Sequence, residues 1–384
     1  MLTMKKITIV LSASVILIAA ACKKTQTNDS NNRNTEADNS NNQIAETTAL
    51  KTIYKDNFLV GNIINPTYMS GNYFTLLATH YNTVTCENDM KPDHLAPSSK
   101  GGSYRWEHAD NMVNKMADNG IKVHGHVLVW HSQTHSWMTT GTPEQVRENM
   151  TDHINTVLSH YKGKIFSWDV VNEAIRDGAD SSDWRDCLRT NSGWYRALGA
   201  DYIELAFRTA READPDILLY YNDYGLNNQK KAETVRNMVR EINDKYKAEG
   251  NTRNLIDGIG MQAHYGLWLD INDVRSSLDK FIEIGVIVDI TELDVETIST
   301  NSSQWGTGKN SDLSASDAQA QAVLYAQLFG LFREYSDHIT RVTMWGMDDR
   351  NSWKSIGNPC LFDAHLNPKP AFFAAANPGS VSGL

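Results

Sequence analysis

The feature that most constrains the fold is an alternation that begins near residue 56 and continues almost to the end of the chain. Short runs of β-branched and apolar residues alternate with longer segments whose apolar residues recur at the spacing of one helical face. One such stripe consists of Tyr202, Leu205, Ala206 and Ala210. The alternation is typical of a parallel sheet whose strands are connected by helices that cover it.

Eight strand candidates support a specific architecture. They are Phe58–Ile64, Asn82–Glu87, Lys122–Trp130, Ile165–Glu173, Ile217–Asp223, Asp257–His264, Val286–Asp294 and Arg341–Met347. Eight strand-helix units favour a closed barrel, whereas the alternative, an open doubly wound sheet, lacks a G-x-G-x-x-G string after its first strand. We therefore predict an α/β fold, a (β/α)8 TIM barrel, as a single domain over residues 50–373 with a C-terminal tail over 374–384.

The N-terminal residues have a different character. Residues 1–21 contain two lysines followed by an apolar run that ends in small residues, the order and length of a signal peptide rather than of a membrane span. Cys22 follows three alanines, as the acylated cysteine of a bacterial lipoprotein does, although Ala19 stands where such signals prefer a larger residue. Residues 22–49, rich in Asn, Thr, Ser and Asp, are predicted to be a flexible tether. We expect an exported protein, lipid-anchored to the cell envelope or otherwise secreted.

Charge and cysteine content exclude several classes of protein. The chain has 36 Lys and Arg against 46 Asp and Glu, a net charge of −10, which is the wrong sign for gathering nucleic acid. Loss of both lysines with the signal peptide makes it −12. The remaining Cys86, Cys187 and Cys360 lack CxxC or Cys/His spacing, so neither a disulfide framework nor a zinc knuckle is indicated, and one disulfide among them stays open. We expect a monomer without metal or cofactor.

Two carboxylates end different strands of the predicted barrel. Glu173 closes the run IFSWDVVNE, and Glu292 closes VIVDITE, with Asp294 two residues later. Barrel enzymes place their working groups at the carboxyl ends of strands, so both side chains should face one mouth. Glycoside hydrolysis needs such a pair, one group to protonate the leaving oxygen and one on the opposite side of the sugar. The alternative is that each glutamate pairs with a basic residue at the rim.

Other strand ends carry amides, histidines, a lysine and indoles, the donors, acceptors and stacking faces that suit a polyhydroxylated ligand. These residues are Glu87, Asn88, Lys91, His126, Trp130, His131, Gln133, Asn222, Tyr224, Gln262, His264, Trp345 and Trp353.

A resemblance now becomes specific. The chain contains, in this order, TVTCENDMKP, GHVLVWHSQ, WDVVNEA, LYYNDYG, GIGMQAH, ITELDV and VTMWGMDDRNSW. These strings, spread over residues 56–373, resemble glycoside hydrolase family 10, the endo-1,4-β-xylanases. The resemblance implies hydrolysis of xylan or xylo-oligosaccharides with retention of configuration.

The resemblance also implies roles for individual residues. Glu173 matches the acid/base, and Glu292 matches the nucleophile, whose negative charge favours the protonated starting form of Glu173. His264 matches the histidine that hydrogen-bonds the nucleophile, and Asp294 matches the carboxylate that orients this histidine. Asn172 matches the residue that binds the 2-hydroxyl of the reacting sugar.

Substrate contacts follow in the same way. On the glycone side, the matching residues are Glu87, Asn88, Lys91, His126, Trp130, Gln133 and Trp345; Gln262 belongs to the predicted binding set as well. Trp353 matches a wall that disfavours the hydroxymethyl group of glucose, while Asn222 and Tyr224 match the aglycone side. The chain departs from the family pattern at Asp89, where glutamate is usual, and at Gly225, where asparagine is frequent.

Other residue groups in the sequence suggest other sites. His124, His126, His131 and His135 suggest a metal site, but no further ligand spacing joins them; Asp177, Asp180 and Asp183 lack the spacing of a calcium loop. The segment 296–316 is long for a βα loop, and the hypothesis is that its Trp305 contacts distal sugars; a flexible insertion without that role is the alternative. As functions, a β-glucan hydrolase and a glycan-binding lipoprotein without activity remain the alternatives.

Overall fold

A computed structural model of the chain describes residues 49–298, 306–308, 310 and 312–381. Within this part lies a closed barrel of eight parallel strands with helices between them, which confirms the predicted (β/α)8 fold class. The signal peptide, nearly all of the tether, Cys22 and Trp305 lie outside the described residues, so what we expect of them stays a prediction.

Nine strands are found in the described residues, and eight of them form the barrel. They are β1 (Leu59–Ile64), β2 (Thr83–Cys86), β3 (Lys122–Trp130), β4 (Ser167–Asn172), β5 (Leu218–Asp223), β6 (Gly258–Met261), β7 (His264–Gly266), β8 (Ile287–Glu296) and β9 (Arg341–Met344). The ring closes because β1 pairs with both β2 and β9, and β6 pairs with β8. The short β7 stands outside this ring and pairs with the end of β8.

The helices surround the barrel. They are α1 (Leu50–Ile53), α2 (Gly71–His80), α3 (Pro92–Leu95), α4 (Glu107–Asp118), α5 (Pro143–Tyr161), α6 (Gly193–Leu198), α7 (Tyr202–Ala213), α8 (Gln229–Ala248), α9 (Ile271–Glu283), α10 (Ala315–Glu334) and α11 (Pro370–Ala376). Short 3-10 helices occur at Pro66–Met69, Ser136–Thr139, Trp184–Cys187, Gly199–Asp201, Ser355–Gly357 and Pro378–Ser380. In the part of the chain that the structure describes, no helix has the length and apolar character to cross a bilayer.

Burial explains why the strand sequences are runs of apolar residues. Every residue of β4 and of β9 is buried, because one face of each strand fills the barrel and the other lies under helices. The predicted helical stripe also faces inward, since Tyr202, Ala206 and Ala210 of α7 are buried. The outer helices are therefore held mainly by the apolar face that each turns to the barrel.

One predicted strand was wrong in its second half. Instead of one strand over Asp257–His264, the chain forms β6 and then β7, with Gln262 and Ala263 between them. Ala263 has a φ of 63°, a left-handed conformation that cannot continue a strand. The break turns the chain so that His264 starts a new strand beside Asp294 of β8. The same break creates part of the site described next.

Candidate active site

The two predicted catalytic glutamates lie at the same end of the barrel. Glu173 directly follows β4, and Glu292 lies in the second half of β8. Their side chains are 13% and 7% exposed, so each is reachable from the mouth yet mostly enclosed. The structure therefore places the pair where parallel barrels gather their working groups.

Left-handed backbone recurs around this mouth. Among the described non-glycine residues with positive φ are Gln133 (42°), Glu173 (54°) and Ala263 (63°). Such conformations are costly for residues with a Cβ, and they persist where surrounding contacts hold them, often at functional sites. Here Glu173 directly follows β4, Ala263 separates β6 from β7, and Gln133 lies in the loop after β3.

Glu173 is held by two neutral N–H donors. Nε1 of Trp130 donates to its Oε2 at 2.9 Å, and Nε2 of Gln262 donates to its Oε1 at 2.9 Å. His131 approaches Oε2 to 4.0 Å, which is too long for a hydrogen bond. Burial, together with the nearby Arg189 cation, lowers the pKa of His131 to about 4. At neutral pH, the side chains that contact the Glu173 carboxyl directly are thus uncharged.

Glu292 has a charged partner instead. Its Oε1 accepts a hydrogen bond from Nδ2 of Asn222 at 2.9 Å, and its Oε2 lies 3.1 Å from Nε2 of His264. The other ring nitrogen of His264 lies 2.8 Å from Oδ2 of Asp294. Burial favours the neutral imidazole, but the charge of Asp294 and the hydrogen bonds to both carboxylates outweigh it and raise the pKa of His264 to about 9. The imidazolium therefore donates to both carboxylates at neutral pH.

Asp294 contacts the side of the His264 ring that faces away from Glu292. Burial opposes its ionisation, yet His264 and Lys354 together lower its pKa. Nζ of Lys354 lies 3.4 Å from its Oδ1, and Nε1 of Trp353 donates to its Oδ2 at 3.0 Å. The indole of Trp353 also meets the His264 ring edge to face at 4.8 Å. One carboxylate thus orients both the histidine at the nucleophile and the tryptophan of the predicted wall.

Three amides connect the two glutamates. Nε2 of Gln262 donates to Glu173 and, at 3.2 Å, to Oδ1 of Asn172; Nδ2 of Asn222 donates to Glu292 and, at 3.0 Å, to the same Oδ1. Because Oδ1 of Asn172 accepts both bonds, its NH2 group is the end left to donate to a ligand.

Asn222 lies beneath the nucleophile. Its side chain is fully buried, Nδ2 donates to Asn172 and Glu292, and Oδ1 accepts from Thr291 at 2.7 Å. Each of its polar atoms already has a protein partner beneath the nucleophile. These contacts give Asn222 a position from which it can orient Glu292.

The predicted glycone residues from β2 and β3 come together beside Trp130. Nζ of Lys91 donates to Oδ1 of Asn88 and to Oε1 of Gln133, both at 2.9 Å, and lies 5.1 Å from the centre of the Trp130 ring. Burial lowers the pKa of Lys91, against the opposing charges of the acidic residues around it. Glu87 accepts a hydrogen bond from Asn65 at 2.8 Å. The result is a polar rim with directed donors and acceptors.

His126 lies deeper, against Trp345. Its ring meets that indole edge to face at 5.7 Å, and its Nδ1 lies 2.9 Å from Oδ2 of Asp169. His124, one of the histidines whose spacing suggests a metal site, contacts the same oxygen at 3.0 Å and Ser167 at 2.7 Å. Among the described residues, no cluster of His, Cys, Asp or Glu could hold a metal ion. The histidine pair is instead anchored by a buried carboxylate.

Three residues that sequence reasoning missed support the site: Asp169, Arg189 and Lys354. The sequence did contain a signal for Asp169. His124 and His126 alternate along β3 as Ser167 and Asp169 do along β4, so these polar side chains lie on one face of two neighbouring strands. Arg189 lies in a loop and donates from Nε to the backbone oxygen of Glu173 at 2.9 Å. No spacing in the sequence indicated that contact.

Tyr224 follows β5, whereas Lys91 and Gln133 follow β2 and β3. Its hydroxyl accepts a hydrogen bond from Arg189 and donates to Asp177, and Nζ of Lys231 lies 3.8 Å from the ring centre. Together with Gly225 it lines a cavity of about 500 Å³. Asp177, weighed above as a calcium ligand, is thus a partner of this tyrosine.

Comparison with known proteins agrees with this geometry. The model of glycosyl hydrolase family 10 matches residues 49–378. A protein of Thermotoga maritima named endo-1,4-beta-xylanase A is 37% identical over 346 residues, 87% of this chain. One of Geobacillus stearothermophilus named endo-1,4-beta-xylanase is 35% identical over 347 residues, 86% of this chain. The match spans 31% of the Thermotoga protein and 98% of the Geobacillus protein.

A solved structure shows the same likeness. The crystal structure of a GH10 xylanase with a bacterial Ig-like domain, from termite gut, superposes with a TM-score of 0.80 at 36% sequence identity. The superposition covers 86% of this chain and 77% of that one.

Proposed function

The chain belongs to glycosyl hydrolase family 10, and from that membership we propose that it hydrolyses internal β-1,4-xylosidic linkages of xylan with retention of configuration. The names of its relatives support xylan as the substrate. The observation that carries the mechanism is the contrast between the two glutamates. A cation lies beside Glu292, which suits an ionised nucleophile, whereas uncharged donors hold Glu173, which must carry a proton and then lose it.

In the first step, Glu292 attacks the anomeric carbon of the bound sugar. A bond forms between its carboxylate oxygen and that carbon while the bond to the leaving oxygen breaks. Glu173 gives its proton to the leaving oxygen, and the aglycone departs as an alcohol. The imidazolium of His264 orients the attacking carboxylate through the contact at 3.1 Å.

In the second step, water replaces the aglycone. Glu173, now ionised, takes a proton from the water, whose oxygen bonds to the anomeric carbon and displaces Glu292. Two inversions at one carbon leave the configuration unchanged. Both residues return to their starting protonation states, so the cycle requires no cofactor.

Asn172 acts on the sugar rather than on the bond that breaks. Its free NH2 group is directed by the two hydrogen bonds that its Oδ1 accepts. We assign it to the 2-hydroxyl of the reacting sugar, where a bond that strengthens in the transition state contributes to rate.

Selectivity for xylose follows from the position of Trp353. Its indole is fixed by the hydrogen bond to Asp294 and by the contact with His264, so it cannot rotate away to admit a larger sugar without breaking both. A hydroxymethyl group on C5 would meet this wall. The second candidate, a hydrolase of β-1,4-glucan, requires the wall to move.

The test is the product configuration combined with chemical rescue. NMR of xylan hydrolysis should show β-anomers first. Glu292→Ala should be inactive and, with added azide, should convert an activated xylosyl substrate to the α-azide; Glu173→Ala should cleave only substrates with good leaving groups and give the β-azide. Glu241→Ala, which removes an exposed carboxylate paired with Arg185, serves as a control. Initial α-anomers, or an active Glu292→Ala, would refute the retaining assignment.

We also propose that the chain is exported and anchored by a lipid on Cys22. The support is the sequence order of lysines, apolar run and small residues before that cysteine. Cys22→Ser should release the protein from the membrane fraction and abolish labelling by a fatty-acid analogue. Release without any change in labelling would contradict the proposal.

A further inference from the structure

Trp268 is exposed although it is a large apolar residue. Within the described residues, only Trp268 and Phe373 are large apolar side chains that are mainly exposed, with exposed fractions of 50% and 55%. A single exposed aromatic residue needs no explanation by itself. What distinguishes Trp268 is its place, because it follows β7, which pairs with β8 beyond the nucleophile Glu292, whereas Phe373 lies on α11.

The chain around Trp268 extends the site beyond the barrel. The end of β8 continues past Glu292, and β7 pairs with it from His264 to Gly266. Gly266 pairs with Glu296, four residues beyond Glu292, so at a rise of about 3.3 Å per residue this ribbon ends roughly 13 Å along the strand from the nucleophile. A turn over residues 266–269 then closes it, with the N–H of Leu269 donating to the oxygen of Gly266 at 3.0 Å. Trp268 is the third residue of that turn.

The turn holds the indole in a fixed place. Leu267 and Leu269 pack against the core on either side, so the residue between them is directed outward. The five-membered ring lies against the backbone of Gly266, where an added Cβ would come within 2.4 Å of Nε1 and 2.8 Å of Cδ1 of Trp268. A flat apolar face supported from behind is preorganised, so binding to it costs little ordering.

The order of strands around the barrel shows which side of the cleft this face extends. The predicted glycone residues come from β2, β3 and β9, whereas Tyr224 follows β5. Along the ring, β6 lies between β5 and β8, and β7 pairs with β8 further along that strand. Trp268 therefore stands on the Tyr224 side of the nucleophile, beyond the sugar that leaves in the first step.

We propose that Trp268 is a stacking platform for a distal sugar on the aglycone side of a bound xylan chain. The inference rests on the proposed function, since it requires a β-1,4-linked pentose chain in the cleft. A xylose ring presents an apolar face of C–H groups to an indole, while the hydroxyl groups of the sugar remain in water. Long chains reach the platform, and short substrates end before it.

The experiment compares long and short substrates. Trp268→Ala should lower kcat/KM for xylohexaose about three- to tenfold, the effect of losing one aromatic stacking contact. It should leave kcat/KM for an aryl β-xylobioside, whose aglycone is a single small ring, within twofold of the wild type. Trp268→Phe should restore most of the loss, because it keeps an aromatic face.

Phe373→Ala is the matched control, since it removes the other exposed aromatic residue and should change neither substrate. The inference is overturned if Trp268→Ala cleaves xylohexaose like the wild type, or if it loses activity equally on both substrates, which would indicate a structural role. If the wild type cleaves the xylobioside but Trp268→Ala does not lower kcat/KM for xylohexaose, only this inference fails. If the wild type cleaves no xylose-based substrate, the proposed function fails and the platform with it.

Discussion

Replacement of Asp294 by asparagine should remove the charge that keeps His264 protonated. The side chain keeps its size, so the contact with the imidazole can persist without an ion pair. Burial, which favours the neutral ring, then meets less opposition, and the pKa of His264 should fall from about 9 toward its usual value of 6.5. At pH 8 the wild type would carry an imidazolium beside Glu292, and the variant would carry a neutral ring.

The magnitude follows from the size of the shift. The difference between about 9 and 6.5, at about 1.36 kcal/mol per pKa unit, is worth about 3 kcal/mol of interaction with the charged histidine. Because the folded-state pKa of His264 is raised, this stability is fully present below pH 6.5 and is lost as the pH rises through about 9. The wild type should therefore lose stability across that window, and Asp294→Asn should lose much less.

The assay is kcat/KM against pH with a dinitrophenyl β-xylobioside. Its leaving group needs little protonation, so the profile reports the nucleophile and His264 rather than Glu173. The alkaline limb should move down by at least one unit in Asp294→Asn, with a loss of about tenfold or more at pH 8. Guanidinium unfolding at pH 6, 7.5 and 9 measures the stability change independently.

The matched control is Asp110→Asn. Asp110 lies 2.8 Å from His160, the same separation as Asp294 from His264, but on the helices outside the barrel. It should shift neither the profile nor the activity. An alkaline limb that stays in place in Asp294→Asn would refute the reasoning, because His264 would then not depend on that carboxylate for its charge.

Three further outcomes are expected. Trp130→Phe removes one donor from Glu173 and should lower kcat about tenfold on xylan but much less on the dinitrophenyl substrate, as steady-state kinetics on both will show. Gly125→Ala places a Cβ 2.2 Å from the Trp168 ring, which packs against Tyr161 of α5, and should cost about 1–3 kcal/mol or more, measured by chemical unfolding; wild-type stability would contradict this. Thr142→Ala removes the capping box of α5 and should cost about 1 kcal/mol with unchanged kinetics.

The strands show how far local patterns predict this fold. The bounds of β3 agree with the predicted run over Lys122–Trp130, because β-branched residues there fill a strand that is buried on both faces. The predicted run over Asp257–His264 was wrong where Ala263 leaves the strand region. Apolar periodicity carries no information about one left-handed residue, so the break at Ala263 could not be read from the pattern.

The site divides in the same manner. Glu173, Glu292 and their strand ends were predictable, because a closed parallel barrel brings the carboxyl ends of all strands to one mouth. The burial of Asn222 was not, since whether an amide faces a ligand or another side chain depends on contacts with Thr291 and Asn172 from other strands.

The sequence by itself determined the barrel, the two glutamates and the kind of ligand that the mouth suits, because strand periodicity and the residue types at strand ends are local properties. Only the tertiary structure decided that a buried carboxylate keeps His264 charged, that three amides connect the glutamates, and that β7, just before Trp268, pairs with β8 beyond Glu292. These depend on distances between residues far apart in the chain, where a difference of an ångström separates a hydrogen bond from no contact.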